Sequence, residues 1–156
     1  MAKEKILIVE DSEDYRVALR IMLEPFFAID QAHTLANGLA RLKQRDTTYY
    51  AALIDLADSE WRATFPATVN QIPVPAIVIV SQWDEPTFVV NIIRWGAAGY
   101  LVKGKDDLDS AHLYRRIKNA VSHARIADKL DAVTEIIIRE TDTAIARRSH
   151  QHATRS

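Results

Sequence analysis

Residues 75–81 read PAIVIVS, a continuous apolar, largely β-branched run with no polar alternation. A strand of this kind has two apolar faces, so a fold that contains it must cover both sides of its sheet. Similar runs recur at Lys5–Val9, at 49–56 (YYAALIDL) and at 99–103 (GYLVK), with a weaker one near Phe27–Ala32. Segments of helical period lie between them. The first carries Tyr15, Val17, Leu19, Ile21, Met22 and Leu23, entered by Asp11 or Ser12 and stopped by Pro25. The second follows Thr34 with Leu35, Leu39 and Leu42 on one face. Another follows Asp84 and Pro86, carries Phe88, Val89, Ile92 and Ile93, and closes at Gly96. Ala57–Pro75, with Trp61, Phe65 and Pro66, predicts a short or distorted helix. Five strands alternating with five helices imply an α/β fold built on a parallel sheet.

Composition narrows the function classes. A chain of 156 residues suits one domain plus an appendage. Its net charge of -1 provides no basic face for direct nucleic-acid binding. The absence of cysteine excludes disulfides and thiolate metal sites. ILIV is too short for a signal peptide and no apolar run has membrane-spanning length, so the expectation is a cytoplasmic protein with no membrane partner.

In an open parallel sheet, ligands bind beyond the carboxyl ends of the strands. The residues at those ends are Glu10 and Asp11 after the first strand, Asp55 on the third, Ser81 on the fourth and Lys103 on the fifth. Adjacent carboxylates disfavour mutual ionisation, so a cation should offset them. Oxygen ligands without His or Cys suit Mg2+, which commonly serves phosphate chemistry. An aspartate can be the nucleophile toward a phosphoryl group, with an ammonium and a hydroxyl stabilising its oxygens.

Taken in order, ILIVED, ALIDL, IVIVS and GYLVKG resemble the receiver domain of two-component response regulators over roughly residues 3–125. The spacings are similar to the family's as well: 44 positions from Asp11 to Asp55 and 22 from Ser81 to Lys103. The resemblance implies a flavodoxin-like, doubly wound five-stranded sheet of order 2-1-3-4-5. It implies Asp55 as phosphoacceptor and Mg2+ held by Glu10, Asp11, Asp55 and the backbone carbonyl of Ala57. Ser81 and Lys103 would contact the phosphoryl group. Tyr100 matches the aromatic whose rotamer follows Ser81, moving the surface of the fourth helix, fifth strand and fifth helix. The implied donor is a sensor histidine kinase or phosphotransfer protein, and the implied role is signalling rather than metabolic catalysis.

The chain also departs from the family pattern. Only 26 positions separate Asp55 from Ser81, and DLADSEW replaces the usual Met-Pro after the acceptor. Gln82 stands where Ala or Gly is favoured, Trp83 where the family tunes phosphoryl lifetime, and Gly104 where Pro is common. The altered loop leaves a rival reading, a receiver-like scaffold that dimerises without phosphorylation. An aspartate-dependent phosphatase would want a second acid two residues past Asp55, where Ala57 stands. Asp58 and Glu60 read as solvated loop acids, and His33, His112 and His123 show no ligand spacing.

A last helix capped by Ser110 meets neither Pro nor Gly and continues to about Arg147. Beyond Arg125, Ile126, Leu130, Val133, Ile137 and Ala144 recur at steps that suit a short coiled-coil seam, interrupted by Glu140. Ile136 and Ile138 widen the apolar face. The expected organisation is a receiver domain over 1–125, a helical extension over 126–148 that forms a homodimer, and a disordered tail over 149–156.

Overall fold

The computed structural model describes residues 2–44, 46–55, 76–82 and 85–154. The short helix expected within Ala57–Pro75, the Ala57 carbonyl, the loop acids Asp58 and Glu60, and the expected roles of Trp83 and Asp84 lie outside the described residues. The described elements are β1 (Lys5–Val9), α1 (Glu13–Leu23), β2 (Ala28–Ala32), α2 (Leu35–Leu42), β3 (Ala51–Asp55), β4 (Ile77–Ser81), α3 (Pro86–Arg94), β5 (Gly99–Val102) and α4 (Ser110–Ala153). All four strand pairings are parallel, in the order β2-β1-β3-β4-β5. Here α3 and α4 are the helices expected as fourth and fifth.

The continuous apolar runs follow from two cores, one on each side of the sheet. Leu7, Val9, Ala52, Ile54, Ile77 and Ile79 pack with Leu42 of α2 and with Phe88 and Ile92 of α3. Their strand neighbours Ile6, Ile8, Leu53, Val78 and Val80 pack with Leu19 and Leu23 of α1 and with Leu113, Ile117 and Val121 of α4. Successive strand side chains alternate between faces, so the interior positions of the central strands β1, β3 and β4 are apolar on both sides, while the edge strand β2 carries Asp30 and Gln31. Gly38 lets α2 approach β1: a Cβ there would lie 2.5 Å from Cγ2 of Val9.

Local chemistry sets the element ends. The Ser12 hydroxyl accepts the Tyr15 amide at the start of α1, and the Thr34 hydroxyl accepts the Asn37 amide at the start of α2. At α4 the cap is one residue earlier than expected. The Asp109 carboxylate, rather than Ser110, accepts from the Ala111 and His112 amides at 3.2 and 3.3 Å. Gly96, at φ 109°, follows the end of α3 in the left-handed conformation open to glycine.

The chain divides into two units, Met1–Ala124 and Arg125–Ser156. In the second, every described residue is exposed, including Ile126, Leu130, Val133, Ile136, Ile137, Ile138 and Ile145. The helix runs to Ala153, past the end near Arg147 that the sequence suggested and through most of the expected disordered tail. Nothing in that stretch breaks a helix, and both the amide and the hydroxyl of Thr154 return to the His150 carbonyl. No helix among the described residues is long and apolar enough to cross a membrane.

Candidate phosphoacceptor and metal site

Register builds the site. Val9 of β1 pairs with Ile54 of β3, so Glu10 and Asp55 leave the sheet side by side. Asp55 pairs with Val80 and Ser81 with Val102, which brings Ser81 and Lys103 to the same edge. The Lys103 amide donates to the Ser81 carbonyl at 2.9 Å. Four strand tips are thereby aligned by ladder geometry alone.

The Lys103 ammonium lies 3.2 Å from Oδ2 of Asp55 and 3.3 Å from Oε2 of Glu10. Glu10, Asp11 and Asp55 each offer a carboxylate oxygen, all within 4.8 Å of one another. Their environments differ: Glu10 is 2% exposed, Asp55 partly buried and Asp11 exposed. Burial, then the Asp55 charge, pushes the Glu10 carboxyl up to about 7, while Lys103 pulls the other way. Lys103 therefore offsets only part of what burial and the neighbouring Asp55 charge impose on Glu10. The hard oxygen donors of the three carboxylates suit a hard divalent cation, so the residues present fit the Mg2+ that the sequence implied.

A hollow of about 240 Å³ opens beside these acids, lined by Val9, Glu10, Asp11, His33, Thr34, Leu35 and Asp55. His33 and Thr34 were not anticipated as lining residues. They follow β2, and the strand-end rule applied to that weak edge strand would have found them. Arg16, also unanticipated, is buried and donates to the Glu10 carbonyl at 2.9 Å, fixing the backbone from which both acids project.

Ser81 is 2% exposed at the tip of β4. Tyr100 is not at the acidic hollow. It is buried within β5, its ring edge-on to Phe88 at 5.8 Å, and its carbonyl accepts from the Arg116 guanidinium.

No protein-family model and no curated protein sequence matches the chain. Solved structures do. A CheY-like response regulator receiver domain protein from Methanospirillum hungatei aligns with TM-score 0.65 and 22% identity, covering 81% of this chain and 99% of its own. A two-component response regulator from Clostridium difficile aligns with TM-score 0.63 and 22% identity, covering 77% and 97%. A response regulator protein from Burkholderia pseudomallei, described with a phosphorylated aspartic acid, a calcium ion and citrate, aligns with TM-score 0.63 and 17% identity, covering 83% and 75%. The chain has the receiver-domain fold.

On this receiver fold the loop after β5 has its own supports. Gly104 has φ 82°, which proline cannot adopt, and its amide donates to Oδ1 of Asp107 at 2.8 Å, which proline could not do. No cis peptide occurs among the described residues. The Val102 amide donates to Asp106 at 2.8 Å, and His112 faces the same carboxylate at 3.1 Å. Burial raises the Asp106 carboxyl, but the Val102 amide, His112 and Arg116 outweigh it and hold it below its ordinary value. Tyr15 covers Lys103, with the ammonium 4.3 Å from the ring centroid.

Proposed function

We propose that this chain is a phosphoacceptor receiver module. Asp55 would take a phosphoryl group from a histidine kinase or phosphotransfer protein, with Mg2+ held by Glu10, Asp11 and Asp55 and by the Ala57 carbonyl. The observation that carries this reading is the Lys103 ammonium bridging Glu10 and Asp55, beside a third carboxylate, on one sheet edge. When bound, the metal supplies positive charge to the phosphoryl oxygens.

The protein's own part begins with an Asp55 carboxylate oxygen attacking phosphorus. The bond to the donor breaks and its electron pair leaves with the donor, forming an acyl phosphate on Asp55. Lys103, already 3.2 Å from Asp55, needs only a short shift along its flexible stem to reach a phosphoryl oxygen. Ser81 would donate its hydroxyl to another. Its movement would be read by Tyr100, which packs on Phe88 of α3 and meets Arg116 of α4 through its carbonyl, biasing a two-state surface over α3, β5 and α4.

The test is incubation with acetyl phosphate and Mg2+, followed by intact mass and peptide mapping. The expected result is one phosphoryl group on Asp55, absent from Asp55→Asn. An unlabelled wild-type protein would remove this reading and leave the phosphorylation-independent scaffold.

The extension supplies the partner surface of this proposal. Seven large apolar side chains of the second unit are more than half exposed, and a helix without a packing partner is marginal in water. Ile126, Leu130, Val133 and Ile137 repeat at four- and three-residue steps, and Ala144 lies one heptad past Ile137 beyond the interruption at Glu140, a short seam that a second copy in register would match. The full chain is expected to be dimeric at micromolar concentration, and a chain ended at Arg125 monomeric. Sedimentation equilibrium decides, and two monomers would refute the homodimer.

A further inference from the structure

Lysine has a flexible four-carbon stem, so an ammonium that must serve one oxygen needs something besides its own backbone to aim it. In this chain two carboxylates compete for Lys103, Glu10 at 3.3 Å and Asp55 at 3.2 Å. The ring of Tyr15, from the first turn of α1, lies against the same ammonium at 4.3 Å. The ring is itself held, because the Tyr15 hydroxyl donates to Oδ2 of Asp107 at 2.7 Å. The other oxygen of Asp107 accepts the amide of Gly104, the residue after Lys103, at 2.8 Å.

The contacts close a circuit: Lys103 to Tyr15, Tyr15 to Asp107, Asp107 to Gly104, and back to Lys103 through the chain. It ties the loop after β5 to α1 and gives the ammonium a π face to rest on. The left-handed turn at Gly104 points its amide at Asp107, so the turn is part of the same device. Burial, then the hydrogen bond to Asp107, holds the Tyr15 hydroxyl in its protonated, donating form.

We infer that Tyr15 is a positioning residue for Lys103, holding its ammonium beside Asp55 through the circuit with Asp107 and Gly104. The inference rests on the phosphoacceptor reading above. The ring limits where the ammonium can go when it leaves Glu10, so that it meets the incoming phosphoryl group rather than solvent.

The experiment is the phosphorylation rate with acetyl phosphate and Mg2+ for the full chain and its variants, with Mg2+ affinity by calorimetry and folding by circular dichroism. Tyr15→Leu is expected to react about tenfold more slowly, with Mg2+ affinity within about twofold of wild type. Tyr15→Phe and Asp107→Asn, which keep the ring but loosen it, are each expected to be slowed about threefold. The deciding comparison is made in a Lys103→Met background, where Tyr15→Leu should cause no further loss because the group it aims is gone.

A wild-type rate for Tyr15→Leu, or an equal tenfold loss in the Lys103→Met background, overturns the inference while leaving Asp55 as acceptor. A wild-type protein that takes no phosphoryl group defeats both readings at once. If Tyr15→Leu does not fold, the milder pair decides in the same way: slowing supports the circuit, and wild-type rates refute it.

Discussion

Lys103→Met is expected to slow phosphorylation of Asp55 by about 10²- to 10³-fold, the usual range when one donor to a developing anion is removed. Methionine preserves most of the length and apolar volume of the stem, so the Tyr15 contact loses its charge rather than its packing. Two effects act together. The phosphoryl oxygens lose a cation that starts only 3.2 Å from the acceptor. Glu10 also loses the ammonium that opposes its protonation, so its carboxyl rises further and competes less well for metal. Rates measured at saturating Mg2+ separate the two, because excess metal restores the second and not the first. A Lys103→Met rate within threefold of wild type under those conditions would remove Lys103 from the proposed chemistry.

Glu10→Gln is expected to flatten the pH dependence of stability in metal-free protein. The folded-state carboxyl sits near 7 against an ordinary value of 4.5, so between those values the folded state binds more proton than the unfolded chain. The sign follows. Glu10's favourable contribution is fully present below about 4.5 and is lost as pH rises through about 7. The wild-type protein without Mg2+ should therefore lose stability over that window, by at most about 3 kcal/mol and less where neighbouring groups relax. Glutamine resembles the protonated acid and carries no such proton, so its stability should be level there. With Mg2+ at pH 8 the order reverses: wild type is stabilised in proportion to metal bound, and Glu10→Gln, short of one charged ligand, responds weakly. Urea unfolding at pH 5 and pH 8, with and without Mg2+, measures all four values. Parallel pH curves for the two proteins would show that Glu10 does not carry the burial cost assigned to it.

Several features of this protein were readable from local pattern. The bounds of β1, Lys5–Val9, are legible because four apolar residues after Lys5 end abruptly in two acids. Thr34 is legible as a cap because a hydroxyl before a helical period has one favoured partner, the amide three residues on, whereas the sequence allows Asp11 or Ser12 at α1 and the structure selects Ser12. The α4 cap was misplaced by one residue because Asp109 and Ser110 are both good caps, and only backbone geometry distinguishes them. In the sequence Tyr15 is simply one of the residues that the first helix carries. Its two polar roles depend on Lys103 and on Asp107, 92 positions away, and no periodicity encodes a neighbour at that distance. His33 shows no ligand spacing in the sequence, yet the end of β2 places it in the same hollow as the acids.

By itself, then, the amino-acid order determined which segments are strands, which faces must be buried, and that acids, a hydroxyl and a lysine terminate four of those strands. Tertiary structure alone decided that Glu10 is sealed from water while Asp11 is not, that Lys103 serves two carboxylates, and that an α1 aromatic covers it. The reason is physical: hydrophobic period is a local property set by the pitch of one element, whereas desolvation and charge pairing depend on strand order and register across the whole sheet.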